Sequence, residues 1–284
     1  MEREPSVQAR DREFVFTDGD FDRIRGLIHA HAGIALNPGK RDMVYSRLAR
    51  RLRALGIGAF GAYLEQLQPE SEEWQHFVNA LTTNLTSFFR EAHHFPVLAE
   101  RVTAARRRGP VSLWSSACSS GEEAYSMAMT AIDALGSFAP PVRILATDLD
   151  TQVLERAARG VYPLERVAAL PEVDVRRFFQ RGKGAQAGFV RVRPEVRDLV
   201  TFRPLNLLGP RWPIRGPFDA IFCRNVLIYF DKPTQYRLLS RFHPLLHPEG
   251  LLFLGHSENV AHAADLFRLR GKTVCAPVAR ERAA

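Results

Sequence analysis

Two adjacent acidic residues stand where a predicted helix begins, directly after a buried strand. In WSSACSSGEEAYSMAM, residues 114–129, the strand runs into a turn of small residues and the helix starts near Glu122 and Glu123. Doubly wound α/β folds bind nucleotides at such a turn. Gly121 is the only glycine in it, so the GxGxxG dinucleotide fingerprint is absent, and the two carboxylates would repel a phosphate. They suit a nucleoside ligand with positive charge, such as the sulfonium and ammonium of S-adenosylmethionine. An equally supported interpretation is that both acids only favour the helix dipole, by about 0.3–1 kcal/mol.

Another acidic residue ends the next predicted strand. Asp148 follows Gly121 by somewhat over 20 residues, and an acid at that distance is placed to accept hydrogen bonds from both ribose hydroxyls. Asp148 is therefore the predicted ribose ligand. The alternative role, an N-cap for the helix that starts near Thr151, fits Asp150 better.

The third and fourth strands of the predicted sheet also end in side chains suited to a ligand. Asn206 and Leu207 follow the third strand, and an amide next to an apolar side chain is suited to hold the edge and face of an adenine. Arg224, Asn225 and Tyr229 follow the fourth strand. They are thus expected at the carboxyl edge of the sheet, where such folds carry out chemistry.

These positions depend on a sheet predicted from short apolar runs. Runs buried on both faces, with helical stretches between several of them, indicate a parallel sheet in an α/β domain. The runs are VSLW at 111–114, RILAT at 143–147, VTFRPL at 200–205, DAIFC at 219–223 and LLFLG at 251–255. Residues from about 162 to 198 break the alternation with a glycine-rich turn, GKGAQAG, followed by FVRVR, which predicts a small inserted antiparallel β-subdomain.

Before the first strand the periodicity is helical. Thr17 and Asp20 resemble a capping box with Asp in place of Glu or Gln, and four apolar stripes at helical spacing follow. The pattern predicts a small helical bundle over 1–83, an interdomain helix or linker over 84–109, and an α/β domain over 110–284.

Several segments, taken together, resemble a known family. They are TTNLTSFFRE at 82–91, ACSSGEE at 117–123, ATDLD at 146–150, FDAIFCRNVLIYFD at 218–231 and GHSE at 255–258. In order and spacing they are similar to the chemotaxis receptor glutamate O-methyltransferases, the CheR family, over roughly residues 20–277. The resemblance implies an all-α N-terminal domain and a Rossmann-like, S-adenosylmethionine-dependent methyltransferase domain with an inserted β-subdomain. This layout matches the partition predicted from periodicity.

The resemblance also implies a set of site residues. Contacts to S-adenosylmethionine, whose product would be S-adenosylhomocysteine, are expected from Asn84, Thr86, Arg90, an acid of the pair Glu122 and Glu123, Asp148, Asn206, Leu207, Arg224 and Asn225. Arg224 and Tyr229 are expected to act as catalytic residues at the reaction centre.

Physical reasons support the expected roles of several residues in these segments. The planar guanidinium of Arg90 suits the methionyl carboxylate and would close the helical domain over the cofactor. Leu85, Phe88 and Phe89 are expected to pack as the core of an amphipathic interdomain helix. The HSE group at 256–258 is expected to be structural.

The implied reaction, methyl transfer to a carboxylate, needs no general base because glutamate is ionised at neutral pH. The enzyme must align one carboxylate oxygen with the methyl–sulfur bond at roughly 3–3.5 Å and keep water out. Because an anion and a cation neutralise each other in the transition state, a strongly pairing arginine at the nucleophile would oppose the reaction. Arg224 is therefore expected to orient or gate the substrate, and Tyr229 to provide a hydroxyl contact or a wall around the methyl group.

A cluster of basic residues on one predicted helix suggests a docking surface. KRDMVYSRLARRLR, residues 40–53, carries six basic residues against one aspartate. Arg47, Arg50 and Arg51 share a helix face, and Arg53 lies close by. The resemblance implies a glutamate-rich helical bundle of a chemoreceptor as the partner, which such a face would bind through a salt-sensitive encounter. The alternative is an ordinary solvated face.

The β-subdomain has a second expected task. Family members that bind a C-terminal receptor peptide accept it at an edge strand of this subdomain by β-augmentation. The short GKGAQAG loop is similar to that of those members, so peptide binding is a hypothesis for this chain.

The net charge of +8 and a pI near 9.8 also fit a nucleic-acid partner. However, 35 arginines against four lysines are equally consistent with the codon bias of a GC-rich genome. A nucleic-acid methyltransferase is a rival hypothesis, disfavoured because RNVLIYF stands where amino-methylating DNA enzymes usually carry a DPPY-like run. A catalytically silent signalling adaptor of the same fold is a second rival. No nucleic-acid partner is therefore predicted.

The N-terminus, the apolar runs and the cysteine spacing indicate where the protein is located and whether it holds a zinc ion. The charged N-terminus lacks the apolar stretch of a signal peptide, and no apolar run approaches the roughly 20 residues of a membrane span, so a cytoplasmic protein without membrane insertion is expected. The scattered cysteines, Cys118, Cys223 and Cys275, predict buried thiols rather than disulfides or a zinc site. The tail at 280–284 is expected to fray.

Overall fold

The computed structural model divides the chain into two units, Met1–Thr82 and Thr83–Ala284. It describes residues 12–69 and 71–279, so the first residues of the N-terminus and the tail expected to fray lie outside the described residues. Within the described residues, no helix is long and apolar enough to cross a membrane. The three cysteines are free and buried.

The described part of the first unit is helical. Its α-helices are α1 Asp18–Ala32, α2 Arg41–Leu55, α3 Phe60–Gln66 and α4 Glu72–Leu81. The Asp20 N–H donates to Thr17 Oγ1 at 3.0 Å and the Thr17 N–H donates to the Asp20 carboxylate at 2.9 Å, so the predicted capping box is confirmed. Buried apolar side chains from all four helices, such as Ile24, Leu48 and Phe77, form the core.

The second unit is built on a seven-stranded sheet of order β6-β2-β1-β7-β8-β10-β9. The strands are β1 Val111–Ser115, β2 Val142–Asp148, β6 Val200–Pro204, β7 Phe218–Cys223, β8 Leu246–Leu254, β9 Phe267–Gly271 and β10 Val274–Pro277. The first five pair in parallel, as predicted. The last two form an antiparallel hairpin at one edge, which the sequence pattern did not predict.

Helices cover both faces of this sheet. They are α5 His94–Arg106, α6 Glu122–Leu135, α7 Thr151–Arg159 and α10 Lys232–Phe242. Successive residues of a strand point to opposite faces, so Leu113 packs in the cluster formed with α5 and α6, whereas Trp114 packs in the cluster formed with α10. The doubly wound fold class is confirmed.

The inserted subdomain stands between α7 and β6. It contains β3 Val161–Pro163, α8 Glu172–Phe178, β4 Phe179–Arg181, β5 Phe189–Val192 and α9 Pro194–Arg197. The strands pair antiparallel in the order β3-β5-β4, and the residues between β4 and β5 form a short turn. The predicted antiparallel insertion is therefore present.

The segment before α5 differs from its prediction. Residues 82–93 contain no helix, and the first helix of the second unit starts at His94. Phe88 is buried and Phe89 is half-buried, but Leu85 is 76% exposed, so its assignment to a helical core was wrong. Positive φ angles at Phe89 (51°) and Glu91 (55°) prevent the segment from continuing as a right-handed helix.

Candidate active site

The strand order reverses at β1, and the site lies at that point. From β1 the chain moves outward through β2 to β6 and then returns to β7 on the other side of β1. In such sheets ligands bind beyond the carboxyl ends of the strands where the order reverses. Ser116 N–H donates to Phe222 O at 2.8 Å and Cys118 N–H to Thr147 O at 2.9 Å. The loop after β1 is thereby fixed to the ends of both neighbouring strands.

The single glycine of this loop is required by close packing. Gly121 has a φ of 97°, and a Cβ placed there would lie 2.8 Å from Ala157 Cβ and 3.0 Å from the Tyr162 hydroxyl. Helix α7 and strand β3 therefore approach the loop too closely for a side chain. The glycine serves this packing, and no further glycine is available to cradle a pyrophosphate.

The two acids that open α6 are both buried and engage different partners. Glu122 forms an ion pair with Arg166 of the inserted subdomain and accepts a hydrogen bond from Ser120 Oγ at 2.7 Å. Glu123 accepts from Ser115 Oγ at 2.6 Å and from Arg224 Nη1 at 3.0 Å. Burial raises the pKa of Glu123 even though Arg224 and Ser115 oppose the shift. Each acid thus connects the helix N-terminus to another part of the unit, in addition to favouring the helix dipole.

Asp148 lies beside the same loop. Its Oδ2 accepts the Ser119 N–H at 2.7 Å and its Oδ1 accepts the Asp150 N–H at 3.0 Å. Burial raises the pKa of Asp148 to about 6. Asp150 caps α7 by accepting the backbone N–H groups of Gln152 and Val153, so its predicted N-cap role is confirmed. Asp148 has no such capping role, and its ribose contact stays a prediction.

The segment before α5 contacts this loop and the insertion. Asn84 Nδ2 donates to Asp150 Oδ2 at 2.7 Å, and Asn84 O accepts from Ser119 Oγ at 3.1 Å. Thr86 O accepts from Arg166 Nη2 at 2.8 Å. Arg90 Nη1 donates to Leu85 O at 2.7 Å, which folds the segment back on itself. Three predicted cofactor ligands, Asn84, Thr86 and Arg90, are therefore in one stretch of chain at the site.

Asn206 and Leu207 stand on the other side of Asp148. The Leu205 N–H donates to Asp148 O at 2.9 Å, which places the segment after β6 beside β2. Asn206 Oδ1 accepts the Leu208 N–H at 2.9 Å within its own turn, and Leu207 is buried. The structure thus brings these two predicted adenine contacts close to the predicted ribose ligand.

Arg224 is enclosed by protein groups. Its side chain is only 1% exposed; Nη1 lies 3.0 Å from Glu123 Oε2, Nη2 lies 3.4 Å from Glu91 Oε2, and Nη2 also donates to Arg90 O. Both terminal nitrogens of this guanidinium are therefore occupied by protein groups, and its expected contacts to cofactor and substrate stay predictions. Glu91 ends the TTNLTSFFRE segment, yet it was given no role from sequence.

The loops after β7 and β8 are held together by one buried carboxylate. Glu258 accepts the backbone N–H groups of Gly255 (2.6 Å), Asn225 (3.0 Å), Val226 (2.9 Å) and Leu227 (2.7 Å). Burial raises its pKa, against these four hydrogen bonds. This contact agrees with the structural role expected at 256–258. Glu258 fixes the loop on which the predicted site residue Asn225 stands.

Tyr229 lies farther along the same loop, in a short 3-10 turn, Leu227–Tyr229. Its side chain is half-buried, and its hydroxyl has no hydrogen-bond partner among the residues that the structure describes. The adjacent Ile228 is 51% exposed. The Tyr229 hydroxyl is therefore available to contact a ligand.

Backbone strain is concentrated at this site. Among the described non-glycine residues, positive φ angles occur at Phe89, Glu91, Ser119, Asn225 and Lys272, and the first four belong to the segments just described. Each such residue costs on the order of 1–3 kcal/mol and persists only where surrounding contacts hold it. Such a concentration is typical of a functional site.

Two family models match the two units. The CheR methyltransferase all-alpha domain matches residues 19–82, and the CheR methyltransferase SAM-binding domain matches residues 84–276. The chain belongs to the CheR methyltransferase family.

Curated relatives agree with this CheR membership over nearly the whole chain. Chemotaxis protein methyltransferase 2 of Pseudomonas aeruginosa is 54% identical over 274 residues, which cover 96% of this chain and 98% of the relative. The chemotaxis protein methyltransferase of Klebsiella aerogenes is 57% identical over 260 residues, covering 91% and 89%. That of Escherichia coli is 54% identical over 272 residues, covering 95% and 94%.

As a CheR methyltransferase, the chain has S-adenosylmethionine as its cofactor, and the site residues fit this ligand. The loop lacks a phosphate cradle but presents the buried carboxylates of Glu123 and Asp148 close to its turn. Carboxylates suit ribose hydroxyls and a cationic sulfonium or ammonium. The guanidinium of the half-buried Arg90 suits the methionyl carboxylate.

The predicted docking arginines belong to α2 of the all-alpha CheR domain, and most are already engaged there. Arg47 donates to Ala80 O and Thr82 O, Arg51 forms a two-pronged ion pair with Glu73, and Arg53 Nε lies 2.7 Å from Glu13 Oε2. Arg50 is exposed and has no partner among the described residues. The predicted basic face is thus reduced chiefly to Arg50 and the exposed Arg53.

One group of side chains in the described part of the chain has the composition of a metal site. Potential ligand atoms of Glu91, His93 and His94 lie within 4.8 Å of one another. The Arg224 guanidinium, 3.4 Å from Glu91 Oε2, already supplies a positive charge there and opposes a second cation. This CheR site therefore favours an arginine-paired glutamate over a metal ligand.

Proposed function

We propose that this chain transfers the methyl group of S-adenosylmethionine to glutamate side chains of chemoreceptors, giving glutamate methyl esters. The observation that carries the proposal is family membership over both units, together with relatives named chemotaxis protein methyltransferases that align over about nine-tenths or more of their length. Membership of both domains in one methyltransferase family favours a protein substrate over a nucleic acid and favours turnover over a silent adaptor.

In the proposed reaction the main task of the protein is to align the receptor glutamate with the methyl group of the cofactor. Bound S-adenosylmethionine supplies a methyl group on a sulfonium and leaves as neutral S-adenosylhomocysteine. A receptor glutamate is already ionised at neutral pH, so the chain need not remove a proton. Asp148 is assigned to the ribose hydroxyls, Arg90 to the methionyl carboxylate, and Asn84, Thr86, Asn206, Leu207 and Asn225 to further cofactor contacts.

The acceptor side of the site is assigned to Tyr229. Its half-buried ring is suited to form a wall beside the transferring methyl, and its free hydroxyl is suited to contact the incoming glutamate. Arg224 is paired with Glu91 and Glu123 and therefore does not neutralise that glutamate. The nucleophile retains its charge until it meets the methyl group, and a site closed to water strengthens this attraction.

For receptor docking we assign the exposed side of α2. Arg50 and Arg53 present positive charge there, whereas Arg47 and Arg51 stabilise the helical unit itself. A glutamate-rich helical bundle of a chemoreceptor is complementary in charge to this surface. Charges at the edge of an interface mainly change the association rate constant.

The inserted subdomain is assigned to a C-terminal receptor peptide. Strands β3 and β4 are the edges of its sheet, so either can accept an added strand. Val161 and Phe189 expose apolar surface on this subdomain, at 39% and 42% of their areas. Calorimetric titration with the C-terminal peptide of a cognate receptor is expected to give saturable binding; no heat and no binding would remove this part of the proposal.

One experiment separates methyl transfer to receptors from the alternatives. The protein is incubated with methyl-labelled S-adenosylmethionine and either receptor membranes, DNA or RNA, and the products are treated with alkali. We expect label in the receptor fraction that alkali releases as methanol, because esters hydrolyse and methylated bases do not. Alkali-stable label in nucleic acid would favour the rival methyltransferase, and cofactor binding without any transfer would favour the adaptor.

A further inference from the structure

Glu91 stands between the cofactor-binding segment and α5. It directly follows Arg90, and its backbone has a φ of 55°, a conformation that a glutamate adopts only when other contacts impose it. Its side chain is 11% exposed. A charged residue in this position needs partners, and those partners show what it does.

Its carboxylate joins three parts of the sequence. Oε1 accepts from the His256 N–H at 3.2 Å, from His256 Nδ1 at 3.1 Å and from Asn225 Nδ2 at 3.3 Å, while Oε2 faces Arg224 Nη2 at 3.4 Å. Burial alone would raise the pKa of Glu91, but His256 and Arg224 lower it to about 2, so the group is ionised at neutral pH. One carboxylate thus holds the ends of both β7 and β8.

Arg224 extends this connection to the cofactor loop. The same guanidinium that faces Glu91 donates to Arg90 O and lies 3.0 Å from Glu123 Oε2 at the start of α6. The segment with Arg90, the loop after β7 and the N-terminus of α6 therefore meet at one arginine between two glutamates. Without Glu91, Arg224 would keep Glu123 but lose its charged partner on the segment.

We infer, on the basis of the proposed function, that Glu91 is a positioning residue for methyl transfer. It orients Arg224 and Asn225 and so fixes the segment containing Asn84, Thr86 and Arg90 in the geometry that binds S-adenosylmethionine. It does not touch the reacting atoms. Its loss consequently impairs cofactor binding more than the acceptance of receptor.

The test uses two variants of different severity. Glu91→Gln keeps the shape and the Oε1 acceptor but removes the charge opposite Arg224, and Glu91→Ala removes both. Calorimetry with S-adenosylmethionine alone is expected to show about tenfold weaker binding for Glu91→Gln and a larger loss for Glu91→Ala. The KM for S-adenosylmethionine should rise in parallel, with the KM for receptor unchanged. Glu100→Gln, an exposed glutamate on α5, is the matched control and should behave as wild type.

A double-mutant cycle with Arg224 tests whether Glu91 acts on the cofactor through this arginine. The effects of Glu91→Gln and Arg224→Met on cofactor affinity should be strongly non-additive, because both remove the pairing between Glu91 and Arg224. Wild-type cofactor affinity in both Glu91→Gln and Glu91→Ala would overturn the inference. A loss of kcat in these variants with an unchanged KM for S-adenosylmethionine would also overturn it. Cofactor binding is measured without receptor. Failure of the wild-type protein to methylate receptors would therefore refute the proposed function, but the effect of the Glu91 variants on cofactor affinity could still be interpreted.

Discussion

Arginines of α2 and the arginine after β7 carry the same charge in very different surroundings. Arg50 is exposed on a helix of the first unit, whereas Arg224 is 1% exposed and flanked by Glu91 and Glu123 in the second. An exposed charge is largely screened by water, so its removal changes encounters more than stability. A buried charge held by two carboxylates leaves them uncompensated when it is removed. The same residue type therefore holds buried groups together in the second unit, whereas in the first unit we propose that it serves docking.

The largest effect that this comparison predicts is on stability. Arg224→Met should cost about 3–5 kcal/mol of unfolding free energy, because two buried glutamates lose their counter-charge. Arg50→Met is the matched exposed control and should stay within about 0.5 kcal/mol of wild type. Denaturant unfolding measures both. Equal effects of the two substitutions would contradict the contrast between the units.

The next effect concerns the cofactor. Asp148→Asn should weaken S-adenosylmethionine binding about tenfold or more, because hydrogen bonds to a carboxylate are stronger than those to an amide. Burial raises the pKa of Asp148 to about 6, so wild-type affinity should fall as the pH decreases through that value. Calorimetry between pH 5 and 8, at intervals of about one unit, tests both statements. The variant should lack this pH dependence, and wild-type affinity in the variant would exclude Asp148 as the ribose ligand.

A third effect concerns the buried histidine His94 and the pH dependence of stability. Burial, then the charges of Arg224 and His93, lower the pKa of His94 to about 3, so the folded protein leaves it neutral where the unfolded chain protonates it. Stability should therefore fall as the pH decreases from about 6.5 toward 3, by about 2 kcal/mol at pH 5 from this residue alone.

The control for this prediction must account for Asp148, which changes stability with pH in the opposite direction. Asp148, whose folded pKa is raised, binds a proton in the folded state first and stabilises it as the pH decreases through about 6. The His94 contribution is therefore the difference in pH dependence between wild type and His94→Gln. If the two proteins lose stability in parallel from pH 7 to 5, the assignment of a neutral buried histidine is wrong.

The smallest effect lies on α2. Arg50→Glu should raise the KM for receptor severalfold at low salt and leave stability unchanged, since Arg50 has no partner among the described residues. Arg51→Glu should instead lower stability, because it places a second acid beside Glu73, which also accepts from the Tyr63 hydroxyl. Steady-state methylation and thermal unfolding distinguish the two outcomes. An unchanged KM in Arg50→Glu would remove Arg50 from the proposed docking surface.

Local patterns predicted the parts of the fold that local physics determines. The apolar runs of the parallel strands, the capping box at Thr17 and the Asp150 N-cap depend on neighbours a few residues away. The β9–β10 hairpin was missed because β9 carries two arginines and exposes Leu269, so it shows no apolar run. Its pairing with β10 depends on long-range contacts rather than on a hydrophobic pattern.

Long-range contacts also limited how much of the site could be predicted from the sequence. The carboxylates and amides at strand ends could be predicted, because parallel strands bring their carboxyl ends to one edge. The partners of Arg224 could not, since Glu91 and Glu123 are distant from it in sequence and meet it only in the folded unit. Leu85 was assigned to a core because its spacing is helical, whereas positive φ angles at Phe89 and Glu91 end that periodicity.

The most direct test of the central claim is to locate the transferred methyl groups. Receptor is incubated with the protein and isotopically labelled S-adenosylmethionine, and its peptides are sequenced by mass spectrometry under acidic conditions that preserve esters. The proposed function predicts labelled methyl groups on glutamate side chains of the receptor's helical bundle, absent when cofactor or protein is omitted. Label on nitrogen or sulfur side chains, or an unlabelled receptor in the presence of protein that binds the cofactor, would contradict it.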